Sequence, residues 1–327
     1  MLPQVHVGVD VARDWLDVHH PAEGARRLAN TPEAVRAFAG TSAETAVHVV
    51  FEATGGYDRW LAEALAAAGV GFSRVNPRQA RDFAKAMGVL GKTDKVPTPC
   101  GRPHGDPGEA RLLAEFGRRL TPPATALPDA GRRALQAQAA RRRPLVEMRK
   151  EEATQLQQTA DGEARSDIES HLCDLDRRIA AIEEQMARSI QADPDLAPVE
   201  RRLRTVPGVG PIVARTLITE LPELGRPDRR AICVLAGLAP VARDGGHHTG
   251  RRSIRGGRPI VRTLLDLAAL HASHHDATFA AFRRKLQEAG QPAKVAIVAT
   301  ARKLLTVLNA MLATGADYRA ASVAGTA

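Results

Sequence analysis

Between Val5 and Ala86 the chain repeats one pattern, a short valine-rich run followed by a polar turn and an amphipathic segment, and this repetition most limits what it can fold into. VHVGVDVARDWLDVHH alternates with a period of two, the signature of a strand, a short turn and a second strand. RRLANTPEAVRAFAG gives a third short strand and then a helix opening at Thr31 and Pro32, a capping residue followed by a first-turn proline. TAVHVVFEATGGYDRWLAEALAAAG is a buried strand ending at Glu52, a Gly-Gly turn and a helix, and VGFSRVNPRQARDFAKAMG repeats strand then helix. Strands with returning helices predict an α/β domain built on a mixed sheet, over residues 1–120.

The rest of the chain changes character. From Asp129 to Arg202 it is long, charged and helical, with an apolar stripe of Leu145, Met148, Leu156, Ile168, Leu172, Leu175, Ile179, Ile182 and Met186. Such a stripe predicts two helices paired as an antiparallel hairpin or coiled coil, turning at Asp161-Gly162 and serving as spacer and dimer arm. Residues 203–327 read as a helical, basic third region.

The net charge of +9 predicts a polyanionic partner, nucleic acid above all. Aromatic residues make up 3% of the chain, which argues against base-stacking platforms of the single-strand-binding kind. Cys100, Cys173 and Cys233 lie too far apart for a disulfide framework or a zinc site, and Cys100 with His104 lacks a second ligand pair. That usage fits a reducing cytoplasm. The N-terminus carries no signal-peptide pattern and no apolar run reaches membrane length, so a cytoplasmic location without a membrane partner is expected.

Two acids stand out. Asp10 ends the first strand and Glu52 ends a central one, both in otherwise apolar runs, where an acid is costly unless it is paired or binds a metal. Strand ends are where sites form in open α/β sheets, and carboxylates from neighbouring ends suit Mg²⁺. In the third region, LRTVPGVGPIVARTLITEL has the form of a helix-hairpin-helix turn in which Gly208 and Gly210 free backbone N–H groups for a DNA phosphate. The following glycine-rich loop carries Arg243, Arg251, Arg252, Arg255, Arg258 and Arg262, side chains able to fork onto phosphate.

Taken in order, VGVDVARDWLDV, FEATGGYDRWL, VNPRQARDFAKAMG, ARLLAEFG, VPGVGPIVARTLITELPELG, LAGLAPVARDGG, GGRPIVRTLLDLAAL and KVAIVATARKLLTVLNAML resemble the DEDD transposases of bacterial insertion sequences, the group that includes the pilin-gene invertases. The resemblance spans nearly the whole chain. It implies a RuvC-like (ribonuclease-H-type) N-terminal domain, a coiled-coil linker and a C-terminal transposase domain. It further implies Mg²⁺ in an acidic cage, DNA at the element ends and target as substrate, an element-encoded guide RNA, a homo-oligomer (dimer or tetramer), and a C-terminal serine that attacks the DNA phosphate.

Two departures mark this sequence. The family pattern K-T-D-x-x-D-A-R-x-L begins at Lys92, Thr93 and Asp94, but Pro97 stands where the last acid belongs. A run with Pro97, Pro99, Pro103 and Pro107, read as non-helical and inserted over roughly 96–108, precedes its resumption at Asp106, Glu109, Ala110 and Arg111. The third acid is therefore Asp94 or Asp106, and the fourth is Glu109, one methylene longer than aspartate. Second, the serine position of the A-P-x-x-R-D-S-G loop is Gly245. Thr249 and Ser253 are the nearest hydroxyls, and His247 and His248 read as exposed loop residues. Two readings follow: an Mg²⁺-dependent recombinase, and a copy that binds nucleic acid without cutting.

Overall fold

The computed structural model describes residues 5–88, 107–241 and 252–319, and it divides into two compact units, Met1–Leu127 and Pro128–Ala327. Among the described residues it is a mixed α/β protein with a helical majority.

The first unit is built on a five-stranded sheet. β1 (His6–Val11), β2 (Trp15–His20) and β3 (Gly24–Ala29) form an antiparallel meander, and β4 (His48–Glu52) and β5 (Phe72–Val75) add in parallel on the other side of β1. The strand order is β3-β2-β1-β4-β5. α1 (Pro32–Glu44), α2 (Arg59–Ala67), α3 (Pro77–Ala86) and α4 (Pro107–Leu120) complete the unit. Two starts follow the capping rules: Thr31 Oγ1 accepts from Ala34 N–H and Asn76 Oδ1 from Arg78 N–H, each with proline next in line.

The period-two pattern decides which residues are buried on which side. Val7, Val9, Leu16, Val18, Val49, Phe51 and Phe72 pack with Val35, Phe38, Leu61 and Leu65 of α1 and α2. On the opposite face Val50 and Val75 pack with Leu113 and Phe116 of α4. α4 starts at Pro107, so Pro107 and Gly108 belong to its first turn and not to the non-helical run predicted there; proline at a helix start loses no intrahelical hydrogen bond. The rest of that run lies outside the described residues.

The second unit is helical. α5 (Ala130–Gln158) and α6 (Gly162–Ala192) form the antiparallel hairpin, with Asp161 capping α6 through Ala164 N–H. Leu145, Leu175 and Ile179 are its buried seam, and Arg142–Glu183 and Arg149–Asp176 pair across it. Met148, placed in the stripe by sequence, is exposed: three residues on from Leu145 it stands about 60° round the helix, at the rim of the seam and not in it.

The remaining elements are α7 (Leu196–Leu203), α8 (Pro211–Glu220), α9 (Arg229–Leu235), the two-residue strands β6 (Pro240–Val241) and β7 (Ser253–Ile254), α10 (Pro259–His275), α11 (Ala277–Glu288) and α12 (Ala293–Thr314). Leu135, Met186 and Ile190 of the hairpin share one core with these helices. Glu200, almost fully buried, accepts from Arg215 at 2.9 Å and Gln191 at 3.1 Å, locking α7 to α8 and α6.

α12 corrects one sequence reading, because by length and composition it is apolar enough to cross a membrane. It serves as a core helix: Ala301, Leu304, Leu305 and Leu308 are fully buried in the cluster shared with α10.

Candidate active site and nucleic-acid interface

Pairing between β1 and β4 sets the acids side by side. The parallel register runs from His6 opposite His48 to Val9 opposite Phe51, and Asp10 and Glu52 are the next residue on each strand. Neighbours in register share a face of the sheet. Asp10 is two residues beyond Gly8, so both acids lie on the side covered by α4.

Gly8 explains how α4 reaches that face. A Cβ at Gly8 would lie 1.9 Å from the Ala110 carbonyl oxygen and 2.4 Å from the Ala114 nitrogen, so strand and helix touch backbone to backbone. A Cβ at Gly117 would come within 2.8 Å of His6. As β1 runs from His6 to Asp10, α4 therefore runs backwards, from Gly117 through Ala114 and Ala110. Its first turn, with Glu109, is the part directed toward the Asp10 end. A helix N-terminus carries partial positive charge that favours such acids.

The antiparallel partner of Asp10 is Asp17 on β2. Asp17 is buried and is gripped by Arg27, with Nε 2.7 Å from Oδ1 and Nη2 3.0 Å from Oδ2. The Arg27 pKa is raised by its hydrogen bond to Asp17, opposed by burial, with added attraction from the charges of Asp17 and Asp10. On the same face of β2, burial holds His19 below its ordinary value, helped by the positive charge of Arg111.

Of the acids the sequence singled out, the structure sets Asp10 beside Glu52 and places Glu109 in the first turn of α4, while Asp94 and Asp106 lie outside the described residues. Among the described residues no three His, Cys, Asp or Glu side chains gather into a ready metal site. Sequence reasoning passed over Asp17 and Arg27. The signal was present, since closing VGVDVARDWLDV into a hairpin puts Asp17 across from Asp10.

In the second unit Gly208 and Gly210 do different work. Gly208 has φ +89°, and a Cβ there would lie 2.5 Å from the Ala268 carbonyl oxygen of α10, so this glycine serves packing as well as the turn. Gly210 caps α8 and is exposed, and a Cβ there would meet open space. Arg252 and Arg255 are exposed. Arg258 is committed within the protein, forking onto Glu223 at 2.6 and 2.7 Å, and Arg262 donates to the carbonyls of Gly237 and Gly256. Ser253 sits exposed on β7, opposite Val241. Arg243, Gly245, His247, His248, Thr249 and Arg251 lie outside the described residues, as do Cys100 and His104.

Two family models match the chain. One, described as a transposase of the DEDD type, covers residues 7–98; the other, the transposase IS116/IS110/IS902 family, covers residues 200–284. The pilin gene-inverting proteins of Moraxella lacunata and Moraxella bovis are each 24% identical to it over 329 aligned positions, covering 95% of this chain and 96% of theirs. With a transposase model matched in each half and both relatives aligned along nearly its whole length, the chain belongs to the IS110-type transposases of bacterial insertion sequences.

Proposed function

We propose that the first unit is a RuvC-like, ribonuclease-H-type nuclease domain whose acidic face presents a DNA phosphate for strand cleavage during recombination. One observation carries this reading: Asp10 and Glu52 are the next residues along a shared parallel register, on the face crossed by α4. The strand order β3-β2-β1-β4-β5, with three antiparallel strands and helices on both faces, supports the fold assignment.

The donor chemistry fits Mg²⁺. Both ligands are hard carboxylate oxygens at one level of the sheet, and Mg²⁺ needs only one or two protein carboxylates because it keeps several waters. Asp10 and Glu52 would hold it, with Asp94 or Asp106 and Glu109 as the remaining acids. The bound ion would neutralise phosphate charge and activate an attacking oxygen. Residues 129–202 then act as linker and dimer arm, and residues 203–327 as the second DNA-handling domain. By the family's character the chain works as a dimer or tetramer with an element-encoded guide RNA.

Gly245 favours a second reading for one step. Glycine offers no oxygen, so the covalent protein–DNA linkage expected of the family is impaired in this copy. Glu109 at the head of α4 is a lesser departure, because carboxylates adapt by small rotations.

The test is a gel assay on the element's own ends with Mg²⁺ and cognate RNA. Asp10→Asn and Glu52→Gln should each reduce strand cleavage by more than about 100-fold, since even outer partners of metal ligands contribute roughly 10- to 100-fold. Gly245→Ser, combined with deletion of the inserted run to rebuild Asp94-x-x-Asp, should restore a covalent adduct. Undiminished cleavage by Asp10→Asn would sink the acid assignment. A strong adduct from the unaltered chain, abolished by Ser253→Ala or Thr249→Ala, would show that the nucleophile has moved.

A further inference from the structure

The chain has two tryptophans and two tyrosines. Tyr318 is integrated into the second unit, donating to Asp276 at 3.0 Å and stacking on Phe279. The other three rings are exposed: Trp15 at 42%, Tyr57 at 48% and Trp60 at 40%. Among the described residues they are the exposed large aromatics, and all three occur at one end of the first unit's sheet.

Their placement follows from the topology. Trp15 opens β2 two residues before Asp17, so it lies on the face shared by Asp17, Asp10 and Glu52. Tyr57 and Trp60 follow Glu52 through the Gly55-Gly56 turn into α2. Buried Asn30 pins the two turns together: its Nδ2 donates to the Ala12 carbonyl at 2.9 Å and the Tyr57 carbonyl at 3.1 Å, and its backbone N–H donates to Asp14. The turn just before Trp15 and the turn holding Tyr57 are thus fixed next to each other, just beyond the strand ends that bear Asp10 and Glu52, and Trp60 stands in the first turn of α2, the helix that continues from there onto the opposite face of the sheet.

The neighbours of these rings decide what they suit. Arg13 and Arg59 are exposed beside them, and Gly55 and Gly56 leave open space. A protein-docking patch would continue into aliphatic side chains, whereas cations interleaved with aromatic faces match nucleic acid, arginine taking phosphate and the rings taking bases. Three rings are a small share of a chain with 3% aromatics, but their concentration at one strand edge makes the overall percentage a poor guide.

We propose that Trp15, Tyr57 and Trp60 form a base-stacking platform that holds unpaired nucleobases of the strand whose phosphate is presented to Asp10 and Glu52, a proposal that rests on that reading of the acidic end. Stacking there keeps the strand separated at the scissile position without reading sequence, because every base has a π-face. The ligand chemistry is an unpaired base of the DNA strand, and tighter binding of RNA is an outcome that would reassign it.

The protein provides its own reporter, because both tryptophans belong to the platform. Full-length protein in EDTA is titrated with oligothymidylate of roughly a dozen nucleotides, within the range of single-strand sites, and with an abasic strand of equal length and charge. Tryptophan fluorescence should be quenched by the first and not the second. Binding of a labelled strand should weaken by about 5- to 150-fold on Trp60→Ala or Tyr57→Ala, from typical stacking contributions, and be largely retained by Trp15→Phe. An oligouridylate arm assigns the source of the bases by whichever strand binds more tightly. Equal binding of the abasic strand without quenching overturns the platform, and that arm needs no variant. Asp10→Asn should still be quenched. Quenching without Mg²⁺-dependent cleavage, even in the chain carrying Gly245→Ser and the deletion of the inserted run, would topple the acidic-site reading and leave base stacking as the platform's property, whereas cleavage without quenching would topple the platform alone.

Discussion

Asp10 on β1 and Asp17 on β2 are direct cross-strand neighbours, and both arms of the Arg27 guanidinium hold Asp17. Like charges opposite each other destabilise a sheet unless a third group compensates. Arg27 supplies that charge and also attracts Asp10. The ion pair therefore commits Asp17, one acid of this face, to Arg27. Asp17→Asn should release the guanidinium toward Asp10 and weaken Mn²⁺ binding several-fold in a calorimetric titration. Arg27→Met should destabilise the fold by about 1–3 kcal/mol in urea, below the usual figure for a broken buried pair because Arg27 is 36% exposed. Mn²⁺ affinity unchanged in Asp17→Asn would reduce the pair to a structural role.

Gly8→Ala should be among the most damaging single substitutions in the first unit. The added Cβ would lie 1.9 Å from the Ala110 oxygen, and backbone cannot yield as a side-chain tip does. α4 would have to lift off the sheet, at a cost of about 3 kcal/mol or more. Lifting α4 also moves Glu109 away from the Asp10 end. A melting temperature within a degree or two of wild type would contradict the close packing.

The strands and helices of the first unit were legible because alternation and capping are local: Thr31-Pro32 and Asn76-Pro77 mark their helices without knowledge of the fold. The hairpin at Asp161 was legible for the same reason. What escaped was non-local. The need for glycine at Gly8 depends on a helix about a hundred residues away in sequence. Arg258 read as a phosphate fork because its partner, Glu223, lies in a different segment. The aromatic platform escaped because composition averages over the chain, whereas Asn30 brings two turns to one place.

His48 gives the first unit a pH dependence whose sign follows from hydrogen bonding. Its Nε2 is 2.8 Å from Ser73 Oγ, and that hydroxyl lies 3.0 and 2.8 Å from the carbonyls of Pro122 and Pro123. The single serine proton goes to a proline carbonyl, so neutral His48 donates from Nε2. Burial lowers the His48 pKa, and the charge of His6, whose ring centroid is 5.4 Å away, pushes the same way. With the folded value below the unfolded one, this contribution is complete above about pH 6.5 and declines as pH falls toward the folded value. Unfolding free energies at pH 5 and pH 7.5 should differ less in His48→Gln than in wild type. An equal difference would exclude His48 as the source.

Arginines of the second unit should separate into two classes when affinity and stability are measured together. Arg252 and Arg255 are exposed, and each phosphate they neutralise releases counterions. Replacing Arg251, Arg252 and Arg255 with alanine should flatten the dependence of log affinity on log salt by about 1–3, near 0.9 for each lost phosphate contact. Arg258→Ala should leave that slope alone, because its guanidinium is spent on Glu223. Its cost should appear in folding instead, about 1–2 kcal/mol for a partly exposed bidentate pair. The hydrogen bond from Arg258 holds the Glu223 carboxyl below its ordinary value, so this stabilisation is present above the usual carboxylate pKa and lost as pH falls through the lowered one. Arg258→Ala should therefore lose less of its remaining stability on acidification than wild type does. A flattened salt slope with unchanged stability in Arg258→Ala would instead put Arg258 on the nucleic acid and leave the Glu223 pair without consequence.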